Sequence, residues 1–269
     1  MNFVVAHHSE AKSIINQLGL TKNVSISSFQ VFQNDHHKLI ISGIGKVASA
    51  AATGFLIGQS VKDQRAVPFL NVGIAGHGSL DIGTAFIANR IEDDQGNTTF
   101  YPPQITNSKM MQSRLRSCSH PNRNYANLGF DMEAHAFFSI ASRSITRELV
   151  QVVKVVSDNN DHSFESITPT IASDLIEKNL PEIIDLVDQL EGFSAEISVD
   201  SSITSMQEKA LGMHSFSQTQ LFELNRLISH AKILEIDLNE IMHELRSGIS
   251  SKQALQNLRE KLEPKRTIQ

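Results

Sequence analysis

Val152-Val153-Lys154-Val155-Val156-Ser157-Asp158 is the stretch that most restricts how this chain folds. Four β-branched valines within five residues favour extended backbone, where their stiff side chains pack well against neighbours. The run is apolar on both faces of its pleat, so it reads as a strand buried on both sides, as in a parallel sheet covered by helices. It stops abruptly at Ser157-Asp158, which leaves a carboxylate at the carboxyl end of a buried strand. In open α/β sheets ligands bind at that end. Taken alone, Asp158 serves equally well as a helix N-cap or a turn residue.

A second stretch, Gly129-Phe130-Asp131-Met132-Glu133-Ala134, opens an apolar helical run from Ala134 to Ala141. Glu133 therefore stands where a strand or loop becomes a helix, and the helix N-terminus favours its negative charge. An ionised carboxylate has two acceptor oxygens and no donor, which suits two adjacent hydroxyls such as those of a ribose. On Glu133 alone, a helix-start acid without a ligand is the plainer account.

A third acid occupies a similar junction. Phe3–Ala6 reads as the first strand, and His7-His8-Ser9-Glu10-Ala11 leads into Ile14, Ile15 and Leu18 at helical spacing. Glu10 thus lies at a strand's carboxyl end entering a helix, where a first-turn acid is also an ordinary structural feature. His7 and His8 lack companions at metal-ligand spacing and read as loop residues beside a pocket, with no metal implied. Lys38–Ser42 is a strand that runs into Gly43-Ile44-Gly45-Lys46-Val47 and a small-residue helix, a backbone that lets a ligand approach amides closely. Its spacing is neither that of a P-loop nor that of a dinucleotide fingerprint. Val67–Val72 is a further buried strand leading into Gly73-Ile74-Ala75-Gly76, and Leu115–His120 has strand character.

The chain has 269 residues and a net charge of -5, which argues against a nucleic-acid partner. No run reaches the roughly 18 apolar residues of a membrane span. The single cysteine, Cys118, has no internal partner for a disulfide, so a cytoplasmic setting is expected. A nucleophilic role would need a thiolate-stabilising site, and a plain strand cysteine is the simpler expectation.

The Met132-Glu133 pair with the later strand ending in Ser157-Asp158 resembles the purine nucleoside phosphorylase/uridine phosphorylase superfamily. Within it, the likeness is greatest to the nucleosidases that hydrolyse methylthioadenosine and S-adenosylhomocysteine. The resemblance spans Met1 to Asp161. The Gly-x-Gly-Lys-Val loop fits it, and Gly73-Ile74-Ala75-Gly76 resembles the family's Gly-Ser-Ala-Gly with Ile74 in place of the small polar residue. Thr84 stands where an acid is usual, after Ile82-Gly83.

The resemblance implies a three-layer α/β fold around a mixed, largely parallel sheet, with catalytic residues 1–213 and a C-terminal helical extension, 214–269. It implies hydrolysis of the N-glycosidic bond of a purine nucleoside, a 5'-modified adenosine, without a cofactor, in a homodimer engaged in methionine salvage. Asp158 matches the acid that protonates the purine and Ser157 its orienting neighbour. Glu133 matches the residue holding the ribose hydroxyls, Met132 packs on the sugar, and Glu10 positions water. Ile74, Ala75 and Gly76 line the substrate. The base-stacking aromatic has no clear counterpart, and Phe100, Tyr101 and Tyr125 are the loose candidates.

In the nucleoside phosphorylases an arginine for phosphate falls where this chain has Asn71, and a serine where it has Ile74, which favours water as the nucleophile. A phosphorylase, a hydrolase of another purine nucleoside such as futalosine, and a non-catalytic nucleoside-binding adaptor working through its tail are the competing readings.

Beyond Asp161, helices are expected between Ile171 and Leu190, with Pro181 starting the second. Ser198–Ser205 reads as a serine-rich loop. In the tail, Leu221, Leu224, Ile228 and Ala231 form one helical stripe, and Leu255, Leu258 and Leu262 another. These stripes must bury against their own chain, a second subunit or a partner.

Overall fold

The computed structural model describes residues 1–60, 66–96, 98–122, 125–197 and 201–262. They form two compact units, Met1–Ser198 and Val199–Gln269. In the first, β1 (Asn2–Val5) feeds α1 (His8–Gln17) and is followed by β2 (Thr21–Lys22), β3 (Gln30–Gln33) and β4 (Lys38–Ile41). Next come α2 (Lys46–Ser60), β5 (Phe69–His77), β6 (Ala85–Asp93), β7 (Thr99–Phe100), β8 (Met111–Ser117) and β9 (Gly129–Asp131). The unit ends with α3 (Ala134–Ala141), β10 (Val150–Asp158), α4 (Pro169–Lys178) and α5 (Leu180–Ile197).

The strands make one sheet, ordered β10-β6-β8-β9-β5-β1-β4-β3-β2, with β7 on β6. A further pairing of β10 with β5 closes the first five strands into a barrel-like ring. The sheet is mixed, as expected, but it is not largely parallel: among the described residues five strand pairings are parallel and five antiparallel. The consecutive pairs β2–β3, β3–β4 and β6–β7 supply three of the antiparallel pairings, and closure of the ring supplies the other two. β5 and β10 run parallel to each other, as do β6, β8 and β9, and the two groups meet antiparallel at both seams, β10–β6 and β9–β5. The valine strand is accordingly parallel to β5 on one edge and antiparallel to β6 on the other.

Side chains alternate between two cores, as the pleat requires. Phe3 and Val5 of β1 join Val153 and Val155 of β10 in a cluster with Ile14 of α1, Leu175 and Ile176 of α4, and Ile183 and Leu186 of α5. Val4, Val152 and Val156 point the other way, to Leu56 of α2 and Phe137 and Phe138 of α3. Helices thus cover both faces of the sheet around which the chain is wound. α4 starts where Thr168 accepts from the Ile171 amide and Pro169 takes the first turn, a position that has no use for an N–H. α5 carries Pro181 in its first turn, as the sequence suggests.

The second unit holds α6 (Ser201–Leu211), α7 (Gln218–Ile233), α8 (Leu238–Ser247) and α9 (Ser251–Leu262). Most of the stripes read from the sequence bury against one another: Leu224, Ile228 and Ala231 meet Leu255, Leu258 and Leu262, while Leu221 is only half-buried and lies outside this core. α8 adds Ile241, Met242 and Leu245 to this core. α6 adds Met206 and Ala210, which explains why the division by compactness falls at Val199, ahead of the 214 expected from sequence. Ser201–Ser205 accordingly lies in a helix, not a loop, while 198–200 fall outside the described residues.

Candidate active site

A cavity of about 350 Å³ opens at the carboxyl ends of β1, β5 and β10 and at the end of β9. All eight residues singled out from the sequence line it: Glu10, Ile74, Ala75, Gly76, Met132, Glu133, Ser157 and Asp158. Four separate stretches of chain bring them together, because β1, β5 and β10 are neighbours in the sheet although far apart in sequence.

Glu10 is buried and held at both oxygens. It is the third residue of α1, and its Oε2 accepts from the His7 amide at 2.9 Å, closing a capping box in which the His7 ring accepts from the Ser9 amide. Its Oε1 accepts from the Ile74 amide at 2.9 Å. Ile74 thus contributes its backbone N–H, which its side chain does not affect. Burial pushes the Glu10 carboxyl above the ordinary range, against the Ile74 amide, the Lys154 charge, the His7 amide and the His7 ring.

Glu133 stands at the N-cap of α3 but makes no side-chain cap there. Asp131 does that work: its Oδ2 accepts from the Ala134 amide at 2.8 Å and the Glu133 amide at 3.3 Å. The Glu133 carboxylate turns to the glycine loop, where its Oε1 accepts from the Gly45 amide at 2.7 Å. Gly45 has a φ of 101°, a conformation that glycine adopts without strain, and it presents its N–H across 88 residues of sequence. Burial raises the Glu133 pKa to about 7; the Lys154 charge and the Gly45 amide oppose that rise, while Asp131 and Glu10 add to it.

Lys154 is the residue the sequence reading passed over. It lies in the middle of β10, 1% exposed, with its Nζ 2.9 Å from Asp131 Oδ2. Gly73 pairs with it in register, and a Cβ there would stand 3.3 Å from Nζ and 3.0 Å from Glu10 Oε1. Burial works against the ammonium charge, but Asp131, Glu133 and Glu10 outweigh it and hold the pKa above the ordinary lysine value. The signal was present: a lone lysine inside a fully buried valine run requires buried counter-charges. Asp131 carries the same logic, and its Oδ1 accepts from Ser117 Oγ at 2.6 Å.

At the end of β10, Ser157 Oγ donates to Asp158 Oδ1 and the Tyr125 hydroxyl donates to Asp158 Oδ2. Of the three aromatics considered for the base, Tyr125 alone lines the cavity. Phe100 packs on His135 and Phe138, and Tyr101 is exposed beneath Arg90.

Asn71, at the position compared with a phosphate-binding arginine, is buried in β5 and donates to the Val4 carbonyl at 2.8 Å. Lys46 is held by Asp93 and Asp94. Cys118 follows β8, and burial pushes its thiol up, the opposite of an activated thiolate. Among the described residues no group of histidine, cysteine and acid side chains is placed to hold a metal ion, and no helix is long and apolar enough to cross a membrane.

Comparison with protein-family models and with curated proteins finds no match. Comparison with solved structures does. The chain is similar to the 5'-methylthioadenosine/S-adenosylhomocysteine nucleosidase of Neisseria meningitidis, solved with methylthio-immucillin-A, at 19% identity and a TM-score of 0.54, over 69% of this chain and 98% of that one. It is similar to the 5'-methylthioadenosine nucleosidase of Arabidopsis thaliana at 17% identity and a TM-score of 0.58, over 69% and 94%. The nucleosidase of Helicobacter pylori matches at 13% identity and a TM-score of 0.56, over 70% and 97%. The likeness of fold that the motifs imply is therefore present, and it takes in nearly the whole of each of those enzymes.

Proposed function

We propose that this chain hydrolyses the N-glycosidic bond of a purine nucleoside, and that its substrate is a 5'-modified adenosine of the methylthioadenosine or S-adenosylhomocysteine type. One observation carries the reading: Glu10, Glu133 and Asp158, from three distant parts of the chain, line one cavity in a nucleosidase-like fold.

The chemistry follows from what each group can do. As the bond between ribose C1' and the base breaks, positive charge builds on the sugar and electrons flow into the purine. Asp158 gives the leaving base its proton. Glu133 accepts from the two ribose hydroxyls with the lone pairs left free by the Gly45 and Met132 amides, and the Met132 side chain packs on the sugar. Water adds to C1' and passes its proton to Glu10, whose two oxygens are fixed by the His7 and Ile74 amides. Glu10 then releases its proton to solvent and Asp158 takes one up from solvent, which restores the starting state. Lys154 keeps three carboxylates together in one buried place.

Water is favoured over phosphate because the acids Glu10, Asp131 and Glu133 line the cavity, and a phosphate dianion would meet their repulsion. Ile74 offers an amide already taken by Glu10. The same reading makes the first unit, Met1–Ser198, the catalytic part of a cytoplasmic homodimer, with the helical unit from Val199 apart from the chemistry; sedimentation of the purified chain tests the dimer.

The deciding experiment is incubation with methylthioadenosine, S-adenosylhomocysteine and inosine in phosphate-free buffer, with chromatography of base and sugar. Free adenine and free sugar are expected. Base release that needs added phosphate and yields a sugar 1-phosphate overturns hydrolysis, and absence of any base release supports the adaptor.

A further inference from the structure

We propose that Tyr125 is a positioning residue that fixes the plane of the Asp158 carboxylate. The inference rests on the reading of Asp158 as the acid. A carboxylate held at one oxygen still swings about its last side-chain bond, whereas one held at both oxygens keeps its orientation. Ser157 holds Oδ1 from the neighbouring position on β10, and Tyr125 holds Oδ2 from 33 residues away in sequence. An acid kept in its reacting orientation avoids part of the ordering cost of the transition state.

The contact is built into the fold. A Cβ on Gly76 would stand 2.6 Å from Asp158 Oδ2 and overlap the Tyr125 ring, so only glycine at that position admits the pair. Phe130 meets the Tyr125 ring edge-on, with centroids 5.9 Å apart and planes at 75°, and so fixes the ring independently of the hydroxyl. Burial first, and then the Asp158 carboxylate, push the phenol above the ordinary tyrosine range, which keeps it a donor at working pH. Tyr125 therefore aims the acid through its hydroxyl.

Tyr125→Phe removes the hydroxyl and keeps the ring. On methylthioadenosine, kcat should fall roughly tenfold while KM stays within about twofold. The loss should shrink on 4-nitrophenyl riboside, whose leaving group needs no proton. Equal losses on both substrates, or none, overturn the proposal.

A second measurement does not depend on turnover. The chain has 2 tyrosines, so ultraviolet titration in a Tyr101→Phe background reads Tyr125 alone. Its phenol should ionise above the ordinary range and drop by at least about one pH unit when Asp158→Asn removes the acceptor charge. Identical titrations with and without Asp158→Asn overturn the pairing. If the wild-type chain cleaves no nucleoside, the nucleosidase reading fails while the titration still decides the pair.

Discussion

Lys154→Met should destabilise the first unit strongly near pH 8 and much less near pH 5. The lysine side chain is 2% exposed and its partner Asp131 is 0% exposed, at 2.9 Å. Methionine keeps the aliphatic bulk and removes the charge, so Asp131, Glu133 and Glu10 are left in one buried place without a cation. Removing one member of a buried ion pair costs about 3–5 kcal/mol.

The pH dependence follows from Glu133. Its pKa is raised from 4.5 to about 7, so the stability tied to this carboxyl is fully present below 4.5 and is lost as pH rises through about 7. Lys154 opposes that rise, and without it the Glu133 pKa climbs further and the loss continues to higher pH. Near pH 5 Glu133 is mostly neutral and needs no counter-charge, which spares part of the cost. In a unit of this size each kcal/mol moves the melting midpoint by about 2–4 °C, so a fall of roughly 6–20 °C is expected near pH 8. Circular dichroism melts of the full chain at both pH values measure it. An equal depression at the two pH values, or one below about 2 °C near pH 8, refutes the idea that Lys154 neutralises the cluster.

Three further outcomes are expected. Asp158→Asn should lower the cleavage rate of methylthioadenosine by roughly 100-fold or more; steady-state assays that show the same loss on 4-nitrophenyl riboside would assign Asp158 a structural role. Gly76→Ala places a methyl 2.6 Å from Asp158 Oδ2 and against Tyr125, so kcat should drop at least about tenfold, and an unchanged kcat would mean the pair is free to move. Ending the chain at residue 197 removes helices whose apolar stripes bury against one another, so cleavage and the melting of the first unit should persist; complete loss of activity in a folded truncation would show that the extension completes the site.

Local signals in the sequence were enough for most elements and for bringing forward the three acids that line the candidate site. Glu10 and Asp158 follow apolar runs and Glu133 precedes one, and such junctions gather at one edge of a sheet whatever its details. The tail stripes were legible for the same reason, since a helix records its buried face at every third or fourth residue. The sequence did not determine the sense of the strands. A valine run looks the same beside a parallel or an antiparallel neighbour, and the two antiparallel seams of the ring join strands far apart in the chain. The chain pattern did not disclose partners either. That Asp131 caps α3 while Glu133 reaches Gly45, that Lys154 pairs with Asp131 in the field of Glu133 and Glu10, and that Tyr125 meets Asp158 over a bare Gly76 all depend on which side chains share a buried volume. Sequence fixes the residue types and their periodicity through local sterics, but the partner of a buried charge is chosen by three-dimensional proximity, because only there does desolvation make the pairing obligatory.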